Sequence, residues 1–174
     1  MILKAAVLGH PVLRARAEPV EAKDLRKPAL KRLIEDMADT LFEYNGVGLA
    51  APQVHASLRL FLALESADGM DEEDGPSAGA KAKLRVIANP EFYELSKEME
   101  EGPEGCLSVP RLRGLVPRHT SLIIRGLDGD GRPLELAASG FFARVLQHEA
   151  DHLDGLVYLD RMKDLRSLAF TSEL

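Results

Sequence analysis

Apolar and polar residues recur with different periods along the 174-residue chain, and those periods predict its elements. Over residues 30–44, LKRLIEDMADTLFEY, Leu30, Leu33, Ile34, Met37, Ala38, Leu41 and Phe42 fall on one helical stripe. Pro28 stands just before this run, and Asn45-Gly46 supplies its stop. The stripe is core packing and carries no chemistry. LRLFLALES, residues 58–66, is nearly all apolar and predicts a mostly buried strand. LRVIANPEFYELS, residues 84–96, is strand-like as far as Asn89-Pro90 and then resumes. Within residues 120–139, two β-rich runs flank Asp128-Gly129-Asp130-Gly131, which predicts a hairpin whose turn uses positive φ angles. From Phe141 to Leu153 the period is helical again, with Ser139 as N-cap and Gly155 as the C-terminal stop.

Residues 67–83, ADGMDEEDGPSAGAKAK, have no period and read as a solvated, mobile loop. The acids from Asp71 to Asp74 lack the spacing of an EF-hand. No repeat or linker divides the chain, so one catalytic domain over residues 1–174 is expected. The order of elements implies an α+β fold, with antiparallel or mixed sheets around a central helix and an amphipathic helix nearer the N-terminus.

Composition narrows the setting. A hydrophobic fraction of 45% and a charged fraction of 29% are those of an ordinary water-soluble protein. A net charge of −6 argues against a broad nucleic-acid surface. No apolar run approaches the ~18 residues needed to cross a bilayer, and the N-terminal stretch lacks the layout of a signal peptide. The single cysteine, Cys106, excludes an internal disulfide and fits the reducing cytoplasm.

Three short stretches carry candidate chemistry. In VLQHEADHLDG, residues 145–155, His148 and His152 are four apart and share one helix face, so both imidazoles can reach one ion. Glu149, about 100° around the helix from His148, can approach the ion's open side as a general base. The bland alternative is three polar residues on an ordinary helix. A catalytic ion needs a third ligand; of the remaining histidines, His10 and His119 flank prolines or turns, and His55 follows a Gly-rich stretch. In EGCLSVP, residues 104–110, Cys106 is either a small buried hydrophobe or that ligand, and the neighbouring H-E-x-x-H favours the ligand. A thiolate with two imidazoles accepts zinc, ferrous iron, cobalt or nickel. In GVGLAAPQ, residues 46–53, the glycines lack the Lys-Ser/Thr of a phosphate loop. They read instead as a segment along which a ligand's backbone can lie, ending in Gln53, a neutral donor suited to an oxyanion. A helix stop, a tight turn and a surface glutamine is the alternative.

In that order and spacing, G-V-G-L-A-A-P-Q, E-G-C-L-S and Q-H-E-A-D-H resemble the three signature motifs of the peptide deformylase family. GHPVLRARAEPV at the start and VPR at 116–118 resemble further parts of it. The resemblance implies a metal-dependent amidohydrolase that releases formate from the N-terminal formyl-methionine of newly made polypeptides. It implies Cys106, His148 and His152 as ligands, with Fe2+ as the ion and Ni2+, Co2+ or Zn2+ as substitutes. Glu149 falls on the acid/base, and Gln53 and the Leu107 N–H on the oxyanion donors. Gly46, Val47 and Gly48 fall on the wall that holds the substrate, and Val145 belongs to its apolar pocket. Glu104 and Arg118 fall on positions paired as a salt bridge that braces the Cys106 loop. Expected partners are formyl-methionyl nascent chains, with no nucleic-acid recognition and no membrane, for a monomeric cytoplasmic enzyme. The tail at 163–174 is short for a ribosome-docking helix, which puts that docking mode in doubt. The rival reading is a zinc peptidase that uses H-E-x-x-H on internal amides; it lacks a third His or Glu downstream.

Overall fold

A computed structural model of the chain describes residues 1–66 and 82–174. Helix α1 spans Pro28–Glu43 and helix α2 Gly140–Leu153. Strands β1 (Gly48–Ala50), β2 (Leu60–Ser66), β3 (Ala82–Leu95), β6 (Ser121–Leu127) and β7 (Pro133–Ser139) form one antiparallel sheet in the order β1-β2-β3-β6-β7. Strands β4 (Met99–Cys106), β5 (Val109–His119) and β8 (Ala169–Phe170) form a second antiparallel sheet, with β5 in the middle. The architecture is α+β, as the periodicities imply. Among the described residues no helix is long and apolar enough to cross a membrane.

The apolar run of β2 is explained by burial on both faces. Successive side chains of a strand point to opposite sides. Phe61 and Ala63 pack with Ala143, Val145, Leu146, Ala150 and Leu153 of α2. Leu60, Leu62 and Leu64 pack with Met37 and Leu41 of α1. The large sheet is therefore sandwiched between the two helices. The other side of α2 meets the β4–β5 hairpin. There the Gln147 amide accepts from the His119 N–H and donates to the His119 carbonyl, at 3.0 and 2.9 Å.

Several boundaries differ from expectation. Pro28 is the first residue of α1, where its missing N–H would have been unpaired in any case. Phe42, counted in the buried stripe, is 53% exposed in the last turn of α1. Ser139 occupies the N-cap position of α2, but its hydroxyl makes no capping bond. Strand β3 does not break at Asn89-Pro90. It bulges there, with Asn89 at φ 48°, while the Asn89 amide bonds both the N–H and the C=O of Val20. In the β6–β7 turn only Gly131, of residues 128–131, takes a positive φ. The carboxylate of Asp128 shapes the rest by accepting from the N–H groups of Asp130 and Arg132. The expected loop at 67–83 lies outside the described residues except for Ala82 and Lys83, which already belong to β3.

Where α2 ends matters most for the site. Gly155 has φ 75°, and the N–H groups of Gly155 and Leu156 bond back to the carbonyls of His152 and Asp151. A methyl group at this position would lie 2.7 Å from the Arg14 carbonyl oxygen. Gly155→Ala therefore adds left-handed strain to a backbone clash. We expect it to lower unfolding stability by about 2 kcal/mol, read from the denaturant midpoint. A wild-type midpoint would contradict this account of the turn.

Candidate metal centre and active site

One turn of α2 separates His148 from His152, and the end of β4 brings Cys106 to face them. The ligating atoms of the three residues all lie within 4.8 Å of one another. The Cys106 Sγ is 3.3 Å from His152 Nε2. Burial alone would push the Cys106 thiol up, but the two imidazoles beside it hold it well below its ordinary value. The imidazoles thus favour the thiolate form of the sulfur. For His148, burial opposes the charged form, and the thiolate and Glu104 overcome it, so the ring stays protonated above its usual range.

Glu104 organises the back of this cluster. Its Oε2 accepts from His148 Nδ1 at 2.8 Å, which turns His148 Nε2 toward Cys106 and His152. Both carboxylate oxygens also accept from Arg118, Oε1 from Nε at 2.8 Å and Oε2 from the guanidinium at 3.0 Å. Arg144, one turn before His148, donates to Oε1 at 3.1 Å and to the carbonyls of Glu100, Gly102 and Val116. Burial would raise the Glu104 carboxyl, but Arg118 and His148 hold it well below the usual carboxylate range. On the other side of Arg118, Asp151 accepts at 2.6 Å. The ring of Tyr158 lies nearly parallel to that of His148, at 19° and 6.3 Å between centroids, with its hydroxyl buried and unpartnered among the described residues.

In front of the cluster lies a cavity. Gly46, Val47, Gly48, Gln53, Glu104, Cys106, Leu107, Val145, His148 and Glu149 all line it, and His152 is buried behind. The Gln53 amide is fixed in orientation. Its Oε1 accepts from the Ala50 N–H at 2.8 Å, and its Nε2 reaches toward Cys106 Sγ and Ser108 Oγ, each at 3.3 Å. Glu149 has no such support. Its Oε2 is buried without a partner among the described residues, and burial pushes its carboxyl up to about 7. A carboxyl that exchanges its proton near neutrality, facing a cavity beside three metal-type donors, is equipped for acid–base work.

Arg144, Asp151, Ser108 and Tyr158 were not picked out from sequence. Arg144 is four residues before His148, so the helix-face rule that pairs the two histidines also places Arg144 with them. Asp151 is three residues after His148 and so also neighbours it on the helix, but only the fold of β5, which brings Arg118, shows why an acid stands there.

Fold and site define a protein with a candidate metal centre beside a buried acid–base carboxyl, and comparison with known proteins gives its family. Residues 2–167 match the family model of polypeptide deformylase. Peptide deformylase 1 of Bordetella pertussis is 42% identical over 174 residues, covering all of this chain and 95% of that protein. The Thermus thermophilus enzyme is 42% identical over 98% of this chain and 87% of its own length. Among solved structures, a class I type b peptide deformylase from Acinetobacter baumannii superposes with a TM-score of 0.84 at 38% identity, over 93% of this chain and 99% of that one. That from Thermotoga maritima gives 0.80 at 35%, over 94% and 99%. The chain belongs to the polypeptide deformylase family, metal-dependent hydrolases that remove the formyl group from N-terminal formyl-methionine. The family disfavours a peptidase acting on internal amides.

Gly48 supplies a direct test of the cavity. A methyl group built on it would lie 2.7 Å from Cδ and 2.8 Å from Cγ of Glu149. Gly48→Ala must displace the buried carboxylate. We expect the protein to fold, with kcat/KM on a formyl-methionyl peptide reduced at least ~100-fold; near-normal turnover would show that Glu149 does not need its present place.

Proposed function

We propose that this chain is a single-domain peptide deformylase over residues 1–174 that acts on formyl-methionyl nascent polypeptides. Cys106, His148 and His152 hold its ion, and Fe2+ is the native one, replaceable by Ni2+, Co2+ or Zn2+. The observation that carries the reading is a thiol and two imidazoles converging beside a buried carboxyl whose Oε2 has no partner among the described residues. The donor set fits such an ion: three protein donors leave one side open, toward the cavity. When bound, a divalent ion supplies Lewis acidity that acidifies water and polarises the formyl oxygen.

The chain's own groups account for the remainder. Gly46, Val47 and Gly48 line the path of the substrate backbone, and Val47 and Val145 supply apolar wall for the methionine side chain. Glu149 takes the proton from the attacking water. The Gln53 amide and the Leu107 N–H stabilise the oxyanion that forms on the formyl carbon. Glu149 then gives its proton to the departing amine, and formate and a free N-terminal methionine result. We read the protein as a monomer. The lone free thiol supports a reducing cytoplasm. Near residue 170 the chain pairs with β5, Phe170 opposite Leu112.

Glu149→Gln tests the proton shuttle. It should retain the ion and lose turnover by a factor of roughly 100 to 10,000, measured as formate released from a formyl-methionyl peptide. Undiminished formate release would refute the assignment. In the wild type the working base is the carboxylate, which protonates as pH falls. Burial is the main cause that raises its pKa to about 7, and the positive charge of a bound ion would lower that value. The acid limb of kcat/KM should therefore lie at or below about 7, with activity falling below it. The Gln53 and Leu107 donors do not titrate and should not move this limb.

A further inference from the structure

The charged groups behind His148 form a chain that continues past the Glu104–Arg118 pair. Arg118 divides its guanidinium between two carboxylates. Nε and one terminal nitrogen serve Glu104, at 2.8 and 3.0 Å, and the other terminal nitrogen serves Asp151 at 2.6 Å. Asp151 is itself divided. Arg161 donates to both its oxygens, the shortest contact being 2.6 Å. Glu104, Arg118 and Asp151 have side chains less than a tenth exposed, so these interactions are poorly screened by water. Arg161 is 48% exposed and connects the chain to solvent.

We infer that Asp151 is a positioning residue for the metal ligand His148, acting through Arg118 and Glu104. The inference rests on the metal-site reading above. The physical argument is competition. The firmer Asp151 holds Arg118, the less of that guanidinium's charge falls on Glu104. Glu104 then stays a stronger acceptor for the His148 Nδ1–H, and a His that donates to a stronger acceptor is a better metal ligand. Arg161 works against this, because it draws Asp151 away from Arg118. The site is thereby trimmed by Asp151 and Arg161 with opposite effect, and neither is among the proposed ligands or substrate-binding residues.

This arrangement predicts effects of opposite sign, which a merely structural role does not. Asp151→Asn gives Arg118 wholly to Glu104 and should weaken His148. Arg161→Gln gives Asp151 wholly to Arg118 and should strengthen it. The experiment loads the full-length protein with Co2+, checks its stoichiometry and visible d–d spectrum, and follows loss of Co2+ to excess chelator. Unfolding temperatures are measured in parallel. Replacing a group that bonds a metal ligand directly costs 10–100-fold in affinity, so for Asp151, two steps further out, we expect loss about 5-fold faster in Asp151→Asn and about 2-fold slower in Arg161→Gln. Both should lower the unfolding temperature or leave it unchanged. If both variants lose Co2+ faster, or neither changes, Asp151 is only a structural anchor and the inference is overturned. Should Asp151→Asn fail to fold, Arg161→Gln decides alone: slower loss supports the inference, and unchanged or faster loss overturns it. A wild-type protein that takes up no stoichiometric Co2+ would bring down the metal-site reading and this inference with it. One Co2+ per wild-type chain with misordered variants would bring down this inference alone.

Discussion

The structure turns on a buried carboxylate, that of Glu104. It lies where the β4–β5 hairpin meets α2 and accepts from Arg118, Arg144 and His148. A carboxylate in such a place is costly to bury unless every lone pair is met. Here each oxygen takes two donors. The consequence is positional: the strand that ends in Cys106 cannot shift against the helix that carries His148 without breaking this joint. Arg144 tightens it further by bonding carbonyls of both β4 and β5. The apolar packing of α2 on the large sheet fixes the helix, and the polar joint then fixes the hairpin to the helix.

The same burial yields two opposite outcomes a few ångströms apart. Glu104 has cationic partners and stays ionised, held far below the ordinary range. Glu149 has none for its inner oxygen among the described residues, and burial raises its carboxyl to about 7. Two acids of one chemical type thus take separate roles, one electrostatic brace and one proton carrier, by the presence or lack of arginines. Cys106 follows the first pattern, with imidazoles in place of arginines. The glycine at 48 belongs to the same logic, because only a residue without a side chain leaves the proton carrier its room.

Much of this was legible before the structure. The i, i+4 histidines, the helical stripe of α1, the buried run of β2 and the β6–β7 hairpin all follow from period and turn chemistry. The β4–β5 hairpin does not. MEEGPEGC and VPRLRGLVPRH hold three prolines, three glycines and no sustained alternation. Their strands are held instead by Arg144, by Gln147 and by each other. The division of Arg118 between Glu104 and Asp151 was equally hidden, because residues 104, 118 and 151 are joined only by long-range folding. The bulge at Asn89 was taken for an interruption, since the local sequence says nothing of Val20, whose backbone supports it. Where local pattern carries the information, sequence suffices; where a buried charge needs a distant partner, it does not.

The central claim is that one thiolate and two imidazoles hold the working ion. X-ray absorption at the metal edge of anaerobically prepared protein tests it most directly. The account predicts one sulfur at about 2.3 Å, the distance of a metal–thiolate bond, with two imidazole nitrogens and lighter donors completing the shell. Cys106→Ser should abolish the sulfur contribution. A shell without sulfur in the wild-type protein would contradict the account.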